Sequence, residues 1–207
     1  MYARTTTVHG SPAKIDEGIR YVRDQVMPTV EQMDGCIGLS MLTDRDSGRC
    51  IVTTAWESEQ AMRDSAEGVR DSRARAAEVL DGDQPEVAEW EMALVHRVRP
   101  ADAGACTRVI WGRRDAGPMD DARDVMRTRI LPQVEQVPGF CSVSMLTDPA
   151  SGRVATAVTY ESRAAMDAAN ERGQALRAEF SQAAGMEITE VAGFDLSIAH
   201  LRVPELV

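Results

Sequence analysis

The chain writes one phrase twice, SMLTDRDSGR at residues 40–49 and SMLTDPASGR at residues 144–153. Laid on itself with an offset of 104, it pairs residues 2–98 with 106–202 without a gap, and about 27 of those 97 pairs are identical. A chain of 207 residues built this way is two copies of one unit, at 1–98 and 106–207, and not one large domain. Between them RPADAGA (99–105), made of Pro, Gly and small residues, reads as a linker. Some identities form local phrases, such as Pro28-x-Val30-Glu31-Gln32 with Pro132-x-Val134-Glu135-Gln136. Others stand alone, such as Arg4 with Arg108 and His96 with His200.

Each copy reads as strand, helix, strand, strand, helix, strand. Ile15, Ile19, Val22, Val26 and Val30 recur at helical spacing, and Met119, Met126, Ile130 and Val134 repeat the pattern. Pro28 and Pro132 fall inside it, where the missing N–H and the ring predict a kink or an end before Gly35 and Gly139. The repeated phrase is then a β-hairpin, with Gly48 and Gly152 supplying the positive φ its turn requires. Ser58 and Ser162 stand where a second helix would be capped, and Met166, Ala169, Gly173, Leu176, Phe180 and Ala183 form that helix's apolar line. A last strand alternates Trp90, Met92, Leu94 and His96, and its twin Phe194, Leu196, Ile198 and His200.

A βαββαβ unit gives a four-stranded antiparallel sheet with two helices on one face, the ferredoxin-like arrangement. Its other face must be covered, so the expected fold is α+β, with two tandem units whose antiparallel sheets pack face to face within one chain. If the more apolar strand face lies under the helices, it carries Trp56, Trp90 and His96 in the first half. In the second half it carries Trp111, Tyr160, Phe194 and His200. Arg4 and Arg108 then fall on the opposite face, near Glu91 and Asp195 as carboxylate partners.

Composition excludes several function classes. A net charge of −10 disfavours nucleic acid, whose affinity comes from Lys and Arg displacing counterions. No apolar run approaches the length of a membrane span and the first residues lack an apolar leader, so a cytoplasmic protein without membrane partners is expected. Cys36, Cys50, Cys106 and Cys141 stand singly and read as reduced core thiols. There is no Gly-rich phosphate loop, no H-E-x-x-H and no G-x-S-x-G, and His9, His96 and His200 are too scattered for a metal cage. The expectation is no cofactor and no metal. His96 or His200 could act as a general base near neutrality, or simply be satisfied within the fold.

Pro-Gly-Phe at 138–140, the TD..SGR hairpins, and AWESEQAM (55–62) with TYESRAAM (159–166) resemble the antibiotic biosynthesis monooxygenase (ABM) domains of the dimeric α+β barrel superfamily. The resemblance runs over nearly the whole chain as two tandem domains. It implies a sheet-backed pocket in each unit and, by analogy with characterised members, oxygenation of aromatic polyketide phenols without flavin, haem or metal. Trp56 and Tyr160 match the aromatic that starts the motif; Met62, Met166, Val52 and Thr156 stand where the polyketide-oxidising members carry Tyr and Asn. The expected function is a cofactor-independent monooxygenase acting on a small aromatic molecule, with a non-catalytic binding or stress-associated barrel as the alternative. Its better pocket is expected in the second half, with Tyr160 and His200 as catalytic candidates and Trp111, Asn170 and Phe194 binding substrate. Trp56, Trp90 and His96 are the first-half counterparts. The expected partner is a small aromatic ligand, with further homo-oligomerisation of the fused pair left open.

Overall fold

A computed structural model describes residues 1–114 and 118–207. The first unit comprises Met1–Trp90 with Phe194–Val203, and the second Glu91–Gly193 with Pro204–Val207. The chain runs β1 (Tyr2–His9), α1 (Ile15–Tyr21), α2 (Met27–Glu31), β2 (Cys36–Thr43), β3 (Arg49–Trp56), α3 (Glu59–Gly68), α4 (Arg70–Val79) and β4 (Glu86–Arg97). It continues through β5 (Cys106–Arg113), α5 (Met119–Val125), α6 (Leu131–Val134), β6 (Phe140–Asp148), β7 (Arg153–Tyr160), α7 (Arg163–Ala168), α8 (Asn170–Ala184) and β8 (Glu187–Leu201). The hydrogen-bonded strand order β1-β3-β2-β8-β5-β7-β6-β4 is that of a closed barrel, in the α+β class the duplicated unit predicts. None of the described helices is long and apolar enough to cross a membrane.

In the first unit β3 pairs antiparallel with β1, from Tyr2↔Trp56 to His9↔Arg49, and with β2. The other edge of β2 is taken by the C-terminal half of β8, from Gly38↔Leu201 to Thr43↔Asp195. In the second unit β7 pairs with β5 and β6, and β6 takes the C-terminal half of β4, from Glu91↔Thr147 to Arg97↔Ser142. The last strand of each copy is thus divided: its first half stays with its own copy and its second half completes the sheet of the other. Phe194 and His200 therefore belong to the first unit and His96 to the second, the reverse of the expected pocket grouping.

The prolines act as expected, with one addition. Between α1 and α2 the chain makes a π-helical turn, Val22–Val26, and the second copy repeats it at Met126–Ile130. A proline at 28 cannot donate to the carbonyl four residues back and would collide with it, and a widened turn moves that carbonyl away. The helix survives and ends at Glu31, four residues before Gly35. Its buried line is Ile15, Val22, Val26 and Val30, matched by Met126, Ile130 and Val134. Each such side chain removed from water contributes about 1.5–3 kcal/mol. Ser58 and Ser162 cap as expected, each Oγ accepting at 3.1 Å from the backbone N–H of Ala61 or Ala165. The second helix is broken in both copies, at Val69 and at Ala169, and the break leaves Ala184 buried rather than Ala183.

The repeated phrase is a constructed turn. Gly48 N–H donates to the Asp44 carbonyl at 2.9 Å, Ser47 Oγ to the Asp44 carboxylate at 2.5 Å, and Gly10 N–H to the Gly48 carbonyl at 3.0 Å. Gly48 has φ +79°, and a Cβ there would overlap the Gly10 carbonyl oxygen. Gly104 also has positive φ, +91°, but faces open space. Gly48→Ala is therefore expected to cost at least about 2 kcal/mol in urea unfolding, and Gly104→Ala only the conformational strain of about 1 kcal/mol.

Candidate functional site

Each unit has a narrow cleft between its first helical segment, its second helix and the strands beneath them, with a cavity of about 50 Å³. The two clefts are copies. Arg4, Val22, Val26, Val30 and Arg73 line the first, and the residues 104 positions later, Arg108, Met126, Ile130, Val134 and Arg177, line the second. Tyr160 and Phe180 add aromatic walls to the second cleft. A space this small holds a few waters. A larger occupant requires side chains to move, and Met126 and Met186 on the wall are the most adaptable there.

The polar ends of the clefts differ. Arg4 is 3% exposed and fully engaged. Its Nε and Nη2 donate to Glu89 Oε1 at 3.1 and 2.8 Å, its Nη1 to Ser65 Oγ at 2.8 Å and its Nη2 to the Met62 carbonyl at 2.6 Å. In the second unit Glu89 is replaced by Gly193 and Ser65 by Ala169. Arg108 is 9% exposed, and its buried Nη1 has no hydrogen-bond partner among the described residues. Arg177 lies close by, since a Cβ on Gly173 would stand 3.2 Å from Arg177 Nη1 and 3.7 Å from Arg108 Nη1. In the first unit that position holds the buried side chain of Val69.

Titration directions follow this geometry. Burial pushes the Tyr160 phenol up, against the pull of Arg108 and Arg177, so it stays a neutral O–H donor at physiological pH. Burial and then the like charge of Arg108 lower Arg177. In the first unit Arg73 is lowered by burial and by Arg4, but Glu89 opposes the shift. The second cleft thus gathers two guanidiniums and a phenol O–H, and no carboxylate contributes to the shift of Tyr160 or Arg177.

Of the residues expected in the second-half pocket, Tyr160 lies on the cavity wall. Trp111 does not, because Arg108 and Ile110 face the cleft and strand alternation turns residue 111 to the other face. Phe194 is buried in the first unit beneath the Arg49 guanidinium, 5.7 Å from the ring centroid. Asn170 begins α8 and is exposed. Trp56 is wholly buried and donates its indole N–H to Thr54 Oγ1 at 3.0 Å. Trp90 donates to Thr5 Oγ1 at 2.9 Å, on the face opposite the cleft-lining Arg4 and Thr6.

His200 Nε2 lies 2.7 Å from Glu31 Oε1, and His96 Nε2 2.7 Å from Glu135 Oε1. The His96 contact is an ion-pair distance without hydrogen-bond alignment, while its Nδ1 meets Glu205 at 3.1 Å. Each histidine is held by the glutamate of the other copy, and neither lines a cleft. Arg4 and Arg108, expected beyond the helices beside Glu91 and Asp195, face the clefts instead, and Asp195 meets Arg45 at 3.6 Å. Arg73 and Arg177 were missed, although Arg73-Ala74 and Arg177-Ala178 are identities at the 104-residue offset.

Fold and clefts together define a fused pair of ferredoxin-like units, each with a helix-roofed pocket of its own. The Antibiotic biosynthesis monooxygenase (ABM) family model matches residues 1–69. Uncharacterized protein Rv2557 of Mycobacterium tuberculosis (strain ATCC 25618 / H37Rv) is 45% identical over 207 residues, covering 100% of this chain and 92% of that protein. Among solved structures, an anthrone oxidase-like protein superposes with TM-score 0.64 at 14% identity, over 96% of this chain and 92% of its own. A monooxygenase-like protein from Listeria innocua gives TM-score 0.55 at 9% identity, over 95% and 94%. At such identities the structures share the fold. The chain belongs to one family with Rv2557, and its residues 1–69 carry the antibiotic biosynthesis monooxygenase match.

The contrast between the two arginines is measurable. Arg4→Met strands a carboxylate and a hydroxyl and is expected to lower stability by about 1–3 kcal/mol. Arg108→Met removes a buried Nη1 that has no hydrogen-bond partner among the described residues and is expected to raise the melting temperature by about 2–4 °C per kcal/mol relieved. Differential scanning calorimetry of both variants checks the opposite signs.

Proposed function

We propose that the second-unit cleft is the working site and that it oxygenates a flat aromatic phenol or its keto tautomer without a bound cofactor. The observation that supports this most is the buried Tyr160 O–H beside apolar walls and two guanidiniums, in a chain of a monooxygenase-type family. An apolar slot positions a planar ring, and the polar end favours the ring's oxyanion over its neutral form.

The chemistry then balances without an external reductant. Loss of a proton to solvent gives the substrate anion, stabilised by Arg108 and Arg177 and by a hydrogen bond from Tyr160. One electron passes from this anion to O2, and the carbon radical and superoxide combine to form a peroxide C–O bond. Cleavage of the O–O bond, with loss of the remaining hydrogen on that carbon, leaves a carbonyl and releases water. One oxygen atom enters product and the other enters water. The protein's part is to hold the ring, lower the cost of its charge and keep bulk water out.

Oxygen uptake by the purified protein with anthrone, measured against a protein-free control, tests this. One O2 consumed per anthrone is expected, and Tyr160→Phe should slow the reaction at least tenfold through loss of one oxyanion donor. A ligand-induced rise in melting temperature with uptake no faster than the control would overturn the oxygenase reading.

A further inference from the structure

We propose that the second-unit cleft is a receptor for a carboxylate carried on a flat apolar body, with the ligand's carboxylate taking the place that the Glu89 carboxylate occupies in the first unit. This rests on the second-unit cleft being the working site, and it adds the ligand's charge and functional group.

Three observations converge. The first copy shows what its arginine takes: one carboxylate oxygen receives both Nε and Nη2 of Arg4. The second copy keeps both arginines, Arg108 and Arg177, but has Gly193 for Glu89 and Ala169 for Ser65. The internal acid and the internal hydroxyl are gone, while the cations that faced them remain. Finally, Arg108 Nη1 is buried on the cavity wall without a hydrogen-bond partner among the described residues. A buried guanidinium left this way is stabilised by whatever anion can reach it.

The surroundings fit an external acid. Gly173, in place of Val69, leaves room above the cleft for the two guanidiniums to lie side by side. Around Gly193, a Cβ would stand 3.0 Å from Met166 Cε and 3.2 Å from Arg163 Nη1, and Arg163 occupies the position of Glu59 in the first copy. By sequence this stretch exchanges the first copy's Glu59 and Glu89 for Arg163 and Gly193, although the chain as a whole carries −10. Such a site selects an anion against the long-range field of the protein, so specificity rests on the local pair and not on general attraction. Apart from Thr156 the rest of the wall, including Met126, Ile130, Leu176 and Phe180, is apolar and suits a ring.

Isothermal titration of the full chain at physiological ionic strength with 1-naphthoate, 1-naphthalenemethanol and acetate separates the contributions. The expected result is saturable 1:1 binding of naphthoate, with the neutral alcohol and acetate each at least tenfold weaker. Arg177→Gln, at a half-exposed position, should weaken naphthoate at least tenfold, while Arg73→Gln in the first cleft should leave it unchanged. Gly193→Glu should restore an internal carboxylate and compete naphthoate out, and its melting curve reports whether it folds. Equal affinity for naphthoate and the alcohol, or naphthoate binding insensitive to Arg177→Gln, would overturn the inference. The anthrone assay is independent of this one. Turnover of anthrone without preference for carboxylates removes the receptor and keeps the oxygenase, and Arg177-dependent naphthoate binding without oxygen uptake does the reverse.

Discussion

An unpaired strand edge exposes a row of backbone donors and acceptors, and in this chain that constraint organises everything else. The outer edge of β2 is completed by the second half of β8, and the outer edge of β6 by the second half of β4. Because each copy lends half a strand to the other, the last strands must be long, twelve residues in β4 and fifteen in β8. A register shift between Met41 and Leu42, mirrored between Met92 and Leu94, marks bulges in both shared ladders. A bulge bends and twists a strand, as one serving two sheets requires.

The exchange also explains isolated identities. His96 and His200 come from equivalent places, and each reaches the glutamate of the opposite copy, Glu135 or Glu31. The pairs are partly exposed and individually weak, but they are reciprocal, so both residues recur in both copies. With sheets and ion pairs duplicated, the clefts are where the copies could diverge. There the difference is chemical more than steric: the arginines persist, and their acid and hydroxyl survive on one side only.

Much of the fold was legible because it rests on local rules. Period-3.6 and period-2 patterns, two serine caps, two proline-bearing helices and two glycine turns each fixed an element. The strand exchange was not legible, because a duplicated sequence looks the same whether the last strand stays with its own copy or crosses to the other. The face assignment failed for a different reason. Residues 38–43 of β2 are all buried, so both faces of that strand are covered and polarity no longer marks which one lies under the helices. Trp90, Phe194 and Trp111 were drawn to the helix side by their size, and Arg4 and Arg108 away from it by their charge. The buried bonds of Arg4 to Glu89, Ser65 and Met62 show how a guanidinium comes to lie there. The legible clue was a mismatch in the repeat: Arg73/Arg177 and Arg4/Arg108 are identities, while Glu89/Gly193 and Ser65/Ala169 are not.

That mismatch ties stability to function. In the first unit Arg4 is held by its own chain whether or not anything else is bound, and its cleft needs no occupant. In the second unit the buried Nη1 of Arg108 lacks, among the described residues, the hydrogen bond that its twin on Arg4 makes, which disfavours folding by about 1–3 kcal/mol. A ligand that binds only the folded protein adds about 2.7 kcal/mol of stability at one hundred times its dissociation constant. The two quantities are of the same order, so occupancy by an anion could offset most of what the unpartnered Nη1 removes. The same residue that weakens the empty unit gives the filled one its selectivity.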